Sequence, residues 1–261
     1  MRQERLTIQE LTWQPSKTRP EILNSICTEF VQGGFYGILG PNGSGKTSLM
    51  RHILRLLESK QGVVELNEKN LGSYKRRELA KKIAFVPQNT NIDTSFTVYE
   101  IVMMGRAPHQ KKFEATTKKD RDIVENAMEM TNCSHLRDQV FSMLSGGEAQ
   151  RVITARAIAQ QAPWLVLDEP ISHLDIRYQI ELMKHLQFLN EHQNTAILAV
   201  LHDINLACEY CKQIILMKDG EIVASGETKE IMTVENLKKV YDIDFVCLNH
   251  PNGKGNYFVP C

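Results

Sequence analysis

An apolar run, Phe35-Tyr36-Gly37-Ile38-Leu39, passes directly into Gly40-Pro41-Asn42-Gly43-Ser44-Gly45-Lys46-Thr47, and a helical pattern runs on from Thr47 to Leu57. A strand, a glycine-rich loop and a helix in immediate succession leave few architectures open, because such a loop joins a buried parallel strand to the helix that crosses over it. The glycines leave room for backbone N–H groups to wrap phosphate oxygens, the helix offers its positive end, and Lys46 adds a full charge. Thr47, with Ser48 beside it, is placed to ligate Mg²⁺. A plain glycine-rich turn would not explain Lys46. By itself the pattern marks a phosphate-binding loop of a kind found in many unrelated ATPases and GTPases.

The rest of the chain fits an α/β fold. Leu6, Ile8 and Leu11 suggest a first strand, and Ile26, Thr28 and Phe30 a second that turns at Gly33-Gly34; Gly62 to Leu66 and Ile83 to Val86 follow, the latter ending at Pro87-Gln88. From about Asn89 to Gln160 helical patterns take over, including Thr97-Val98-Tyr99-Glu100, a capping-box spacing that opens Ile101 to Met104. This stretch reads as an inserted helical subdomain. Strands return at Trp164 to Leu167 and Thr195 to Leu201, each followed by a helical pattern, as in a largely parallel sheet. Asp219-Gly220 is a hairpin turn signal, Glu235 to Tyr241 a short final helix, and Asn252-Gly253 a turn in an irregular tail. The expected organisation is one domain over 1–261, with a core lobe of 1–88 and 161–240, a helical subdomain of 89–160 and a tail of 241–261.

Composition removes several function classes. At 261 residues, 42% of them apolar, the chain holds one large domain with a subdomain, and two tandem nucleotide-binding domains do not fit. Formal net charge is zero, which gives no reason to expect a nucleic-acid partner. The start, MRQERLTIQELTW, lacks an apolar run of signal-peptide length, and the stretches around Trp164 to Leu167 and Ala196 to Leu201 are too short to span a bilayer. The expected location is cytoplasmic, with membrane contact only through a partner. Of the six cysteines, Cys208 and Cys211 form a CxxC, but within one helical pattern and with no second pair or spaced histidines, so they read as ordinary thiols.

Two further motifs carry chemistry. At Asp168-Glu169 an apolar strand delivers two carboxylates to its C-terminal end, where ligands bind in open α/β sheets. Asp168 would hold Mg²⁺ through water and Glu169 would act as general base on the attacking water. Ser145-Gly146-Gly147-Glu148 has capping-box spacing ahead of a helix running to about Gln160. Two glycines in a first turn cost about 1 kcal/mol each relative to Ala, which a mere cap does not require. Bare backbone at a positive helix end suits a second phosphate site.

Taken in order, these motifs resemble the ATP-binding subunit of an ABC transporter, and the resemblance covers the chain from about residue 5 to the tail. It implies a P-loop ATPase core with a mostly parallel sheet, an N-terminal antiparallel β subdomain and an inserted helical subdomain. It implies that Ser145, Gly146 and Gly147 contact the γ-phosphate bound to the other copy in a head-to-tail dimer, so that two ATPs are sandwiched between two chains. Gln88 stands where the family has a glutamine that senses Mg²⁺ and signals to the membrane subunits; Ser172-His173-Leu174-Asp175 stands at its dimer-contact loop; His202 stands at its switch histidine on the γ-phosphate. The family stacks adenine on an aromatic residue about 30 positions before the loop lysine. Here that count lands on Pro15, and Trp13, the nearest aromatic, either stacks on adenine or is buried against the sheet. Ala149 replaces the arginine of many relatives, while Gln150 and Arg151 follow as usual.

Within the family, Thr97 to His109 resembles the importers of iron-siderophores, haem and cobalamin. So do Leu174-Asp175-Ile176 with Gln179, His202-Asp203-Ile204-Asn205-Leu206-Ala207, and Val234-Glu235-Asn236-Leu237 before Val240-Tyr241. Zinc and manganese importers share part of the first motif. His109, with no partner at ligand spacing, reads as a surface or packing residue. The implied activity is ATP hydrolysis that powers import, ferric siderophore favoured. The implied partners are a second copy, two permease subunits at the cytoplasmic face of the membrane and, indirectly, an extracytoplasmic binding protein. A soluble cluster-assembly ATPase remains the alternative on architecture alone.

Overall fold

The apolar runs of the sequence become strands where distant neighbours let them pair. A computed structural model of the chain describes residues 3–16, 18–59, 61–88, 94–111, 115–172, 174–249 and 256–261. His173 and Asn252-Gly253 lie outside these. The elements run β1 (Arg5–Trp13), β2 (Leu23–Val31), β3 (Phe35–Leu39), α1 (Lys46–Ile53), β4 (Gln61–Leu66), β5 (Lys69–Asn70), α2 (Arg76–Ala80), β6 (Ile83–Val86), α3 (Val98–Met103), α4 (Lys118–Met130), α5 (Gly146–Ala159), β7 (Trp164–Asp168) and α6 (Ile176–Gln193). They continue with β8 (Ala196–Val200), α7 (Ile204–Tyr210), β9 (Gln213–Lys218), β10 (Glu221–Glu227), α8 (Thr228–Ile231), α9 (Val234–Tyr241), β11 (Phe245–Asn249) and β12 (Asn256–Pro260). Two compact units result, Met1–Tyr74 with Ala196–Cys261, and Lys75–Thr195.

In the first unit an antiparallel sheet has the order β2-β1-β4-β5. Leu6 and Ile8 alternate inward, then Glu10 adopts φ 48° and the register shifts, so that Leu11 is the next side chain to be buried. The bulge explains why the apolar spacing in the sequence skips a residue. A second group of strands holds β3 parallel to both β8 and β9, with β10 antiparallel to β9. Every residue of β3 and β8 is buried, as continuous apolar strands covered on both faces must be. Ile38 pairs with Val200 and Ile215, so β3 and β8 leave this sheet at the same edge, β3 into Gly40 and β8 into Leu201 and His202. The helix after the loop ends at Ile53, earlier than the expected Leu57, because Arg55 turns into the left-handed region at φ 54°.

The tail differs from the irregular segment expected. β11 and β12 form an antiparallel hairpin with Val246 opposite Val259, and the Asn205 side chain of α7 exchanges two hydrogen bonds with the Phe258 backbone, at 2.8 and 3.1 Å. Phe245 and Phe258 are buried on one face while Val246, Leu248, Tyr257 and Val259 stay exposed.

In the second unit β6 and β7 pair in parallel, Ile83 opposite Trp164 and Val86 opposite Leu167. Helices α3, α4 and α5 pack on one another, and α5 packs on β6. The compact division therefore falls at 74/75 and 195/196, with both strands grouped with the helices. Thr97, Thr117 and Ser145 each open a helix through a capping box. The segment Gly105 to His109 is a joint between these helices: the Arg106 guanidinium donates to buried Asp120 at 2.9 Å and to the Ala159 carbonyl at 2.7 Å. The His109 Nε2 donates to the Gln160 carbonyl at 2.8 Å, and Arg77 donates to the Pro108 carbonyl at 3.0 Å. A Cβ on Gly105 would come within 2.2 Å of the Arg156 carbonyl oxygen. His109 is thus a packing residue, its pKa pushed down by burial.

Candidate functional site

In the first unit the loop from Gly40 to Gly45 leaves β3 and opens α1, with Gly45 at φ 98° as its N-cap. Gly45 has no side chain with which to cap this end, and the first N–H groups of α1 lie at the helix's positive terminus. Lys46 is 5% exposed and folds back over the loop, donating to the carbonyls of Gly40 at 2.8 Å and Pro41 at 2.9 Å. The Ser44 N–H closes the loop on the Pro41 carbonyl at 3.2 Å. The Ser44 hydroxyl is buried with no hydrogen-bond partner. A concave backbone, a positive helix end, an ammonium group and an orphaned hydroxyl are chemically suited to phosphate oxygens. Thr47 and Ser48 continue in the first turn of α1. His202 follows β8 at the edge where β3 gives way to the loop, and Asp203 caps α7 by accepting from the N–H groups of Asn205 and Leu206 at 2.8 and 2.9 Å.

Trp13, at the end of β1, meets His52 edge to face with ring centroids 5.5 Å apart. It also lines a cavity of about 340 Å³ together with Thr12, Pro15, Glu58 and Gln61. No motif or spacing had singled out His52. Its Nδ1 donates to the Ser48 carbonyl at 2.8 Å, and burial pushes its pKa down, so it meets Trp13 as a neutral ring.

In the second unit Asp168 ends β7 and is 4% exposed. Glu169 takes φ 51°, a left-handed backbone rare for a residue with a side chain. Its Oε2 accepts from the Gln88 amide at 2.7 Å, so the structure brings together two predicted site residues from the ends of β6 and β7. The Glu169 carbonyl accepts from the Ser172 hydroxyl at 3.0 Å, and the Gln179 amide stitches the same loop by donating to the Ile171 and Leu174 carbonyls. Asp175 caps α6 through the Tyr178 N–H at 3.1 Å. At the start of α5 the Ser145 hydroxyl donates to Glu148 Oε2 at 2.6 Å and accepts from the Glu148 N–H at 3.4 Å. These bonds hold the Glu148 carboxyl below its ordinary range. A Cβ on Gly146 would touch nothing within 4 Å.

Cys208 and Cys211 are free, and burial pushes both thiols up, Cys208 to about 12. Among the described residues no helix is long and apolar enough to cross a membrane.

The profile of the ABC transporter family matches residues 23–172. The chain belongs to that family, as one of its ATP-hydrolysing subunits. It is 38% identical over 230 residues to the ferric enterobactin transport ATP-binding protein FepC of Escherichia coli (strain K12), covering 88% of this chain and 85% of that one. To the iron(3+)-hydroxamate import ATP-binding protein FhuC of Bacillus subtilis (strain 168) it is 35% identical over 230 residues, covering 88% and 86%. Its fold matches the dimeric structure of MJ0796, a bacterial ABC transporter cassette, with a TM-score of 0.77 and 27% identity over 85% of this chain and 98% of that one.

Proposed function

We propose that the chain drives import of a ferric chelate, a ferric siderophore in the first instance, by hydrolysing ATP as a head-to-tail pair on the cytoplasmic face of two permease subunits. The observation that carries this reading is the 38% identity to FepC across 88% of the chain. An extracytoplasmic binding protein delivers the cargo, which never touches this subunit.

The roles divide by chemistry. Lys46 and the backbone of Gly40, Pro41, Asn42, Gly43, Ser44, Gly45, Thr47 and Ser48 hold the phosphates, and Trp13 stacks on adenine. Glu169 accepts the proton of the attacking water, whose oxygen bonds to the γ-phosphorus as the bond to the bridging oxygen breaks and ADP departs. Gln88 keeps that carboxylate oriented through the 2.7 Å bond, and the left-handed backbone at Glu169 aims it. His202 contacts the γ-phosphate. Ser145, Gly146 and Gly147 meet the γ-phosphate of the other copy, and Asp175 lies in the loop that touches that copy. For Mg²⁺ the donor set fits: the Thr47 hydroxyl, the Asp168 carboxylate and the Gln88 amide oxygen, left over once its nitrogen serves Glu169, are the hard oxygen ligands this ion takes. When bound, Mg²⁺ neutralises charge on the β- and γ-phosphate oxygens.

The test has two arms. Glu169→Gln is expected to bind ATP, lose hydrolysis by roughly 10²- to 10⁴-fold and accumulate an ATP-bound dimer on gel filtration, whereas Lys46→Ala loses binding as well. Near-normal turnover by Glu169→Gln would sink the general-base role. Deleting the gene and following uptake of radiolabelled iron-siderophore, haem, cobalamin and zinc reads the cargo: unchanged iron uptake with zinc lost moves the chain to the metal-ion branch, and no transport defect at all favours a soluble ATPase.

A further inference from the structure

The histidine of His202-Asp203-Ile204-Asn205 serves the chemistry above, but Asn205 has no part in it. In the structure Asn205 stands in the first turn of α7 and joins two segments that the chain keeps 53 positions apart. Its backbone N–H donates to the Asp203 carboxylate at 2.8 Å, closing the turn directly after His202. Its side-chain amide donates to the Phe258 carbonyl at 3.1 Å and accepts from the Phe258 N–H at 2.8 Å. A primary amide that both gives and takes a bond with one backbone residue acts as the peptide group of a neighbouring strand would. Among the described residues β12 has β11 as its one strand partner, so Asn205 satisfies polar groups that would otherwise stand at a bare edge.

The hairpin that Asn205 grips is held from its other side as well. Phe245 and Phe258 are buried, and α7 packs on β12. The Tyr241 ring of α9 meets Phe245 edge on at 6.1 Å, and the Cys261 N–H donates to the Asp244 carbonyl at 2.9 Å. Helix α9 rests in turn on β9 and β10, with Leu237 and Val240 fully buried. The tail is therefore a brace that runs from the strands beside β3 to the first turn of α7. His202 lies between two anchors. One residue before it the Leu201 N–H donates to the Ile38 carbonyl of β3 at 3.2 Å, and three residues after it Asn205 meets the hairpin. The first anchor joins backbone to backbone; the second hangs on one side chain, which a substitution removes without touching the histidine.

We propose that Asn205 is a positioning residue for His202, its amide bracing the turn at Asp203 against the tail hairpin so that the tail supports hydrolysis without touching nucleotide. The proposal rests on the reading of His202 as the γ-phosphate contact. Displacing a group that acts on a transferring phosphoryl by about 1 Å can cost on the order of 10²-fold in rate, so a brace behind the histidine acts on turnover. ATP affinity, carried by Lys46 and the loop backbone, does not depend on it.

The experiment compares the full-length parent with Asn205→Leu, Asn205→Asp, His202→Ala and the double variant of His202→Ala with Asn205→Leu. Each is followed by single-turnover hydrolysis of radiolabelled ATP over hours and by titration with a fluorescent ATP analogue, and thermal unfolding reports whether it is folded. Leucine keeps the shape of asparagine and loses both bonds, whereas aspartate keeps the acceptor and loses the donor. Asn205→Leu should slow hydrolysis roughly three- to thirtyfold while ATP affinity stays within about twofold of the parent's. Asn205→Asp should show a smaller loss in the same direction, and it carries the comparison should Asn205→Leu fail to fold. In the His202→Ala background Asn205→Leu should add no further loss, since the residue it positions is gone. Undiminished hydrolysis by Asn205→Leu overturns the proposal. So does a loss of binding equal to the loss of rate, or the same factor of loss on top of His202→Ala, either of which marks Asn205 as a plain anchor for the tail. Parental hydrolysis by His202→Ala overturns the reading of His202 itself, and the proposal with it.

Discussion

Two helices of this molecule begin in glycine, and the glycines answer to different masters. At the phosphate loop the chain itself demands them: Gly40 has φ 155° and the Met217 carbonyl against its α-carbon, and Gly45 caps α1 at φ 98°. At the start of α5, Gly146 lies within the helix, Ser145 and Glu148 already close the cap, and a Cβ would meet only open space. Nothing inside the chain asks for glycine there. A bare backbone kept against helix propensity, with no internal cause, points to something that approaches from outside, which is what the proposed phosphate site of a second copy requires.

The comparison breaks most visibly at Gly40. Gly40→Ala is expected to cost on the order of 3–5 kcal/mol, because backbone rather than a yielding side chain is in the way, and thermal unfolding of the purified variant checks it. If Gly40→Ala folds as stably as the parent, the internal demand is not real. Ser145→Arg comes next: hydrolysis should vanish while a dilute monomer still binds a fluorescent ATP analogue like the parent, apart from a capping loss of about 1 kcal/mol in stability. Loss of binding in the monomer would place Ser145 in its own chain's site.

Gly146→Ala is the sharpest case, since the two effects have opposite signs. The helix should gain up to about 1 kcal/mol and the melting temperature rise, while turnover falls as the added methyl meets the facing phosphate. A stabilised variant with full activity would remove the argument for an external ligand. The smallest effect belongs to a contact made by a side chain instead of bare backbone: Trp13→Ala should raise the apparent KM for ATP several-fold with little change in kcat, since stacking is worth ~0.5–1.5 kcal/mol. Unchanged affinity in a folded variant would assign Trp13 to packing against His52.

What the sequence revealed was what is local. The strand, loop and helix around Lys46, the boxes at Thr97 and Ser145, and the carboxylates ending β7 each lie within a few residues and carry their own signal. What it hid depends on pairing at a distance. The bond from Gln88 to Glu169 spans 81 positions, and the grouping of β6 and β7 with the helices follows from strand pairing that local periodicity cannot display. The tail was read as irregular because β11 and β12 carry apolar residues on both faces, Phe245 and Phe258 inward, Val246 and Val259 outward, which erases the period of two. Gly105 to His109 carried the subfamily resemblance that the relatives bear out, but not its structural role, a joint whose partner Asp120 lies 14 residues on from Arg106.

Glu169 holds a backbone that glycine, or an asparagine, would occupy more comfortably. Drift under selection for folding alone would therefore run downhill at this position, away from the carboxylate, and the catalytic role proposed for Glu169 is what would oppose it. In a duplicated copy released from transport, the first silent casualty is expected here, in a chain that remains well folded and still binds ATP but can no longer let go of it.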